Sequence, residues 1–496
     1  MLSHHSALSP TNQPSQQEST AILNQVANLL LSTLDLDELP AEATLADPSP
    51  SRTGRGRPLQ LPWTQLWGSL LLCTLGGMRS FADWRRFVGT QSLGDLPPVW
   101  LSTTGLVKRL LKAGLPPLEA LWARLTDRIG LDAKELGPAT LAPFASRILS
   151  LDETKLDRLA RHLKPLRDLP SKDPALFAGK LLGLFDLRAQ RWLWLEWREK
   201  MAENSLVDLL PFLEGLTTGT LLLFDLGYFA FWFFDTLTDR GIWWISRYRE
   251  NTSYQIVHTF YRHNEVLDAL VWLGTRKNAP AHLVRLVRFG DGVQIRMYLT
   301  NVTDPLMLSL AEIPQLYARR WDIEVAFRLL KDYLGMHHWW SSKPELVKVQ
   351  IWIVLILSQV LLALRERLAQ AAGCEVFAVS LPLLIIQLPD LSTNPQPLLE
   401  TLLAQGHELG ILRQETRLSL CLQVPQLSLE QYLPAPPDLP RQRTAHYSRY
   451  VPRPHTPRPS GYRRKREKAE ATKRAKSERV AQTKVAKTVT SSQGSS

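Results

Sequence analysis

Cysteine is nearly missing from this chain: Cys73, Cys374 and Cys421 are the only three in 496 residues. Their wide spacing excludes a thiolate zinc site and a disulfide framework, and it fits a reducing cytoplasm. No P-loop and no HExxH helix occurs, which leaves out a nucleotide cradle and zinc-protease chemistry. No segment repeats at a solenoid period. The opening run SHHSALSPTNQPSQQEST lacks the apolar stretch of a secretory signal.

Long apolar runs are also in short supply. The best candidate, Val349–Leu364, has 16 residues and includes Gln350, Ser358 and Gln359. A bilayer crossing needs about 20 apolar residues, so a buried helix is expected there, with no membrane partner. Surplus charge is absent from most of the chain as well. The formal net charge is +12, but Arg441–Ser496 alone holds 16 Lys and Arg against three Asp and Glu. The other 440 residues therefore sum to −1.

What is present is apolar bulk: 45% hydrophobic residues and 16 Trp, enough for a large core spread over roughly two or three domains. Residues 1–58 read as a disordered leader. Residues 59–140 read as a helical domain broken at Gly76–Gly77, Gly94–Pro98 and Gly114–Pro117. Arg85, Arg86, Lys108, Arg109 and Lys112 suit it to DNA binding, with a plain helical bundle as the competing reading. The hydroxyl run Ser102–Thr104 is placed to cap the helix that carries Lys108 and Arg109.

Over residues 141–370 the pattern turns to strands, then to strands alternating with helices. That predicts an α/β domain, a mixed sheet with flanking helices. A polar, β-rich run over about 248–300 interrupts it as an insertion, with a hairpin at Gly290–Gly292. Residues 371–440 form a less regular accessory segment. Residues 441–496 read as a disordered basic tail, an electrostatic arm for DNA.

The chain is organised around Tyr317–Lys331, YARRWDIEVAFRLLK. On a helix, Tyr317, Arg320, Glu324 and Lys331 fall within about a 60° arc. Leu316, Ile323, Phe327, Leu330 and Leu334 make an apolar seam beside it. A solvated surface helix would show the same periodicity. Upstream stand two aspartates at the ends of strand-like runs, Asp152 in LSLDETKL and Asp225 in LLLFDLGYF. Period-two alternation puts Ile148, Ser150, Asp152 and Thr154 on one strand face and turns Glu153 away. Two aspartates and a glutamate offer hard oxygens suited to Mg²⁺ and to phosphoryl transfer.

These residues stand as Y-x₂-R-x₃-E-x₆-K, preceded by LTNVTD and the two aspartate blocks. The pattern resembles bacterial insertion-sequence transposases of the DDE superfamily, the YREK subgroup. The resemblance covers roughly residues 149–363, and it is looser over the N-terminal GRP…LLLCTLGG…DWRRF region. It implies a ribonuclease-H-like fold and Asp152, Asp225 and Glu324 as catalytic, metal-binding residues. It implies Mg²⁺ or Mn²⁺, two ions. Tyr317, Arg320 and Lys331 would grip DNA phosphates, leaving metal to the carboxylates, and Arg247 resembles a further DNA contact. Members of that family can use a tryptophan in or after the insertion to hold a flipped base; Trp272 and Trp243/Trp244 are the candidates, and nothing in the sequence selects one. The implied function is that of a transposase, a homodimer in its DNA complex, acting in the bacterial cytoplasm at the nucleoid. It would bind inverted-repeat ends and target DNA, cleave, and transfer strands. A derived DNA-binding protein without turnover is the alternative. Glu153 departs from the pattern, where many relatives carry a small residue, and His337–His338 read as packed or solvated.

Overall fold

The computed structural model describes residues 61, 63–92, 96–132, 142–159, 178–199, 209, 213–290, 294–391, 398–413 and 424–447. The leader and residues 448–496 of the tail lie outside them.

Four N-terminal helices follow the predicted glycine breaks: α1 (Trp63–Leu75), α2 (Phe81–Thr90), α3 (Thr103–Ala113) and α4 (Pro116–Asp132). Ser102 caps α3 as expected, its hydroxyl accepting the Gly105 N–H at 3.0 Å. Gly114 then ends α3 at φ 71°, a left-handed geometry that a side chain would strain.

The rest is mixed α/β. Nine strands form one sheet in the order β3-β2-β1-β4-β5-β9-β8-β7-β6. They are β1 (Ile148–Lys155), β2 (Lys180–Asp186), β3 (Arg191–Arg198), β4 (Leu221–Phe224), β5 (Trp243–Arg247), β6 (Tyr254–His263), β7 (Val266–Leu273), β8 (Val284–Gly290) and β9 (Ile295–Thr300). β3, β2 and β1 form an antiparallel meander, while β1, β4 and β5 run parallel. Helix α5 (Phe231–Asp239) makes the β4–β5 crossover. The β-rich insertion, β6 to β9, continues the same sheet, because β9 pairs antiparallel with β5.

Alternate residues of the central strands feed two cores. Ile148, Leu221, Leu223 and Ile245 face one, and Leu149, Leu151, Leu222 and Phe224 face the other. This double burial explains why the β4 run TLLLF is apolar without alternation. The second core is aromatic, with Phe234 of α5 stacked on Trp244 at 4.3 Å between centroids. In the first core lie α1–α4 and the 28-residue helix α8 (Pro344–Ala371). Between the sheet and α8 runs the motif segment, as α6 (Glu312–Ala318), a 3₁₀ turn (Arg319–Trp321), α7 (Asp322–Arg328) and a π turn (Leu329–Tyr333).

Helix α8 has the length and hydropathy of a membrane span, and 89% of its most apolar window is buried in the protein. The three polar residues within its apolar stretch are engaged. Gln359 brackets the backbone of edge strand β3, donating to Trp192 C=O at 2.9 Å and accepting its N–H at 3.3 Å. Gln350 donates to His338 C=O at 2.8 Å, and Ser358 donates to Leu355 C=O at 2.7 Å. After α8 come α9 (Leu381–Leu391) and α10 (Leu398–Gln405), more regular than the sequence suggests. Arg441–Tyr447, assigned to the tail by composition, run along residues 279–283. Ala279 and His446 exchange both backbone hydrogen bonds, and Arg443 lies over the Trp272 ring at 4.6 Å.

Candidate active site

The two aspartates meet because of strand register. β1 and β4 are parallel neighbours whose last paired residues are Leu151 and Phe224. The next residue in each chain segment is an aspartate: Asp152 stays in β1, paired there with β2, and Asp225 follows the end of β4, so the two stand within electrostatic reach of each other. Asp225 then caps a short turn, its Oδ1 accepting the Gly227 N–H at 2.7 Å. Asp152 Oδ1 accepts the Glu153 N–H at 2.8 Å.

The motif segment lies across β1, bonded to alternate residues of one strand face. Ser150 Oγ donates to the Arg320 carbonyl at 3.1 Å, and Lys331 Nζ donates to Thr154 Oγ1 at 2.7 Å. Between these fastenings, Arg320 Nη1 donates to Asp152 Oδ2 at 2.6 Å and Nη2 to Glu324 Oε1 at 2.9 Å. One guanidinium thus ties the strand carboxylate to the helix carboxylate. Glu153 points away, as alternation requires, and pairs with Lys180 at 3.0 Å.

The packing beneath α7 depends on a glycine. Gly183 is the β2 partner of Asp152. A methyl group there would meet Trp192 at 2.8 Å, Leu195 at 3.1 Å and Phe327 at 3.4 Å. The absent side chain makes room for Trp192 and Leu195 of β3, and Trp192 in turn packs on Phe327 of α7 at 5.0 Å between ring centroids. The apolar seam read from the sequence is all buried: Leu316, Ile323, Phe327, Leu330 and Leu334. The polar ridge sinks with it, for Tyr317 and Arg320 are buried too. The solvated-helix alternative does not describe these two.

The electrostatics follow from that burial. Asp152 is pushed up to about 6, first by desolvation, with Arg320 opposing and Asp225 and Glu324 adding repulsion. Arg320 is held protonated above its ordinary value, its burial outweighed by Tyr317, Asp152 and Glu324. Burial raises the Tyr317 phenol to about 12, with Arg320, Asp225 and Arg247 all within electrostatic reach. Lys331 is lowered by desolvation. The geometry therefore gathers Asp152, Asp225, Glu324, Tyr317, Arg320 and Lys331. Arg247, exposed at the end of β5, joins them on the Tyr317 side.

The tryptophans named for base holding sit otherwise. Trp244 is fully buried, Trp243 packs edge-on against Phe144, and Trp272 lies under Arg443. His337 is neither packed nor merely solvated. Its Nε2 bonds Asp332 at 2.6 Å, and its Nδ1 bonds Asp157.

One residue not singled out from the sequence is Tyr228, in the FDLGYF block. It is buried, its hydroxyl has no hydrogen-bond partner, and Asp152, Glu153 and Asp225 lie within electrostatic reach. Only its place three residues after Asp225 gave a signal. Among the described residues no three His, Cys, Asp or Glu side chains are gathered tightly enough to hold one ion. In donor type the site does fit a hard cation: carboxylate oxygens from three elements, with the negative charge offset by a guanidinium.

Residues 198–360 match the family described as the transposase DDE domain. That match spans Asp225 and Glu324 and covers less than half of the chain. It supports a DDE transposase as the class. Among individual proteins, the chain is similar to the transposase InsG for insertion sequence element IS4 of Escherichia coli (strain K12), 26% identical over 168 residues. Those residues are 32% of this chain and 37% of that protein's length. A solved piggyBac transposase synaptic complex with hairpin DNA covers 85% of this chain and 88% of its own, at 10% identity and a TM-score of 0.38.

Proposed function

We propose that this chain is an active DDE transposase of the YREK type: it binds the inverted-repeat ends of an insertion sequence, cleaves them and joins them to target DNA. The observation that carries this reading is the register of β1 and β4. It sets Asp152 beside Asp225, and Arg320 links Asp152 to Glu324. The strand order β3-β2-β1-β4-β5, with a meander joined to a parallel pair of crossovers, supports a ribonuclease-H-like core. The match to the transposase DDE domain supports the class.

Asp152, Asp225 and Glu324 would hold divalent cations, Mg²⁺ or Mn²⁺, two in number. When bound, such ions activate a water or 3′-hydroxyl and stabilise the leaving oxygen of an in-line displacement. The chain's own cations do the positioning. Lys331 and Arg320 flank Glu324 in the chain and would hold phosphates either side of the scissile bond. Arg247 extends that row past Tyr317. Lys108 and Lys112, exposed on α3, suit the helical domain to DNA backbone contact, and the basic tail adds sequence-independent affinity. The DNA complex is a homodimer, in the bacterial cytoplasm at the nucleoid.

The test is cleavage of a supercoiled plasmid that carries the DNA flanking this coding frame. Asp152→Ala, Asp225→Ala and Glu324→Ala should each abolish Mg²⁺-dependent breaks at the ends while leaving gel-shift binding in place. A mutant that cuts normally removes its residue from the site. If all three cut normally, the function is wrong.

A further inference from the structure

We propose that Arg320 is a resident counter-cation that occupies the carboxylate site until DNA arrives, so that a DNA phosphate must draw it off before Asp152 and Glu324 are open to a divalent cation. This deepens the reading above and rests on it.

The first observation is the fork itself. Arg320 spends its two terminal nitrogens on two different carboxylates, Asp152 Oδ2 at 2.6 Å and Glu324 Oε1 at 2.9 Å. Those contacts use an oxygen of each carboxylate that a cation between them would need. A divalent ion and a guanidinium cannot both sit on these oxygens, because like charges at contact distance repel strongly.

A second observation says that this pose is incomplete. Arg320 is only 7% exposed, and its Nε has no hydrogen-bond partner among the described residues. A buried donor without a partner is a cost. A phosphate is better matched to the guanidinium, accepting two parallel hydrogen bonds from its fork.

The third observation is mechanical. The Arg320 backbone is fastened by Ser150, whose hydroxyl donates to its carbonyl, within the 3₁₀ turn. The side chain can therefore swing while its Cα stays fixed. Outside lies Trp321, 58% exposed, whose ring already meets the guanidinium at 5.2 Å from its centroid. A guanidinium leaving the carboxylates finds an aromatic face beside it and solvent beyond.

Lys331 does not share this role, since its ammonium bonds a hydroxyl, Thr154 Oγ1. The two basic residues of the motif thus divide the work. Lys331 is ready for a phosphate, whereas Arg320 must exchange one anion for another. By linkage, DNA and metal then strengthen each other's binding, with the guanidinium as the coupling element.

The experiment measures Mn²⁺ affinity by electron paramagnetic resonance, using the full chain with and without a duplex that carries the element's end. The variants are Arg320→Ala, Arg320→Gln and the double variant Arg320→Ala with Asp152→Asn. Without DNA, Arg320→Ala should bind Mn²⁺ about tenfold more tightly than wild type, a coupling of ordinary size. Wild type should gain a similar factor when duplex is added, and Arg320→Ala should gain little. The double variant should lose the added affinity, which locates it at Asp152. Arg320→Gln keeps hydrogen bonds and loses charge, so it carries the same comparison if the alanine variant does not fold. Equal or weaker Mn²⁺ binding by both single variants overturns the proposal while leaving the transposase reading intact. Should no Asp152-dependent Mn²⁺ binding occur in any variant, even with duplex, the metal-site reading falls and takes this proposal with it.

Discussion

Lys331 Nζ donates to Thr154 Oγ1 at 2.7 Å, two residues along β1 from Asp152. With Ser150 fastened to the Arg320 carbonyl, the motif segment is held to β1 on both sides of the strand carboxylate. The π turn at Leu329–Tyr333 widens the helix by a residue per turn where Lys331 leaves it. Such irregular turns recur at functional sites and here let the ammonium reach back to the strand.

Lys331→Ala should separate these two roles. Thr154 is only half-buried and can bond water instead, so stability should change by less than about 1 kcal/mol. DNA affinity should fall severalfold and the salt dependence should lose about one unit of slope, as expected for one phosphate contact. Fluorescence anisotropy across salt concentrations reads both quantities. An unchanged slope would mean that Lys331 is only a fastener.

Gly183→Ala tests the packing beneath α7. The added methyl overlaps Trp192 and crowds Phe327, so unfolding in urea should show a loss of about 1–3 kcal/mol, the usual cost of overpacking. Because Phe327 follows Glu324 by about one turn, cleavage should fall more than DNA binding does. Equal stability and equal cleavage would show that α7 has slack.

Much of this site was legible in the sequence. Alternation along LSLDETKL correctly separated Ser150, Asp152 and Thr154 from Glu153, because β1 is covered on both faces and its register is therefore fixed. The apolar seam of the motif segment was legible for the same reason. The orientation of Arg320 was not. Helical spacing puts it on a ridge with Glu324, but spacing cannot say that a strand carboxylate from 168 residues earlier will face that ridge. Nor could composition foresee that Arg441–Tyr447 would join the edge of the insertion. Those seven residues look like tail, yet their backbone groups bond residues 279–283. Gly183 gave no signal at all, since its role exists only once Trp192 is packed against it.

His337 supplies a pH dependence. Its hydrogen bonds to Asp332 and Asp157 hold it above the ordinary histidine value, partly opposed by desolvation. A histidine raised in the fold stabilises fully below its unfolded value of about 6.5. That contribution is lost as pH rises through the raised folded value. Trp339 Nε1 also donates to the Asp157 carbonyl, so the clamp joins the end of the motif segment to the loop after β1. Melting temperatures of wild type and His337→Gln should therefore differ most near about pH 6 and converge above that range. A difference that stays constant across pH would remove the ion-paired imidazole from the account.

The most direct test of the carboxylate site is to change the softness of one ligand. Asp225→Cys replaces a hard oxygen with a thiolate, which disfavours Mg²⁺ and tolerates softer ions. Plasmid-end cleavage should be lost in Mg²⁺, by on the order of 10²–10³-fold, the scale of removing a charge-stabilising group. Part of it should return in Mn²⁺, with DNA binding unchanged throughout. Cleavage by Asp225→Cys at the wild-type rate in Mg²⁺ would contradict a metal role for Asp225, and with it the three-carboxylate site proposed for this chain.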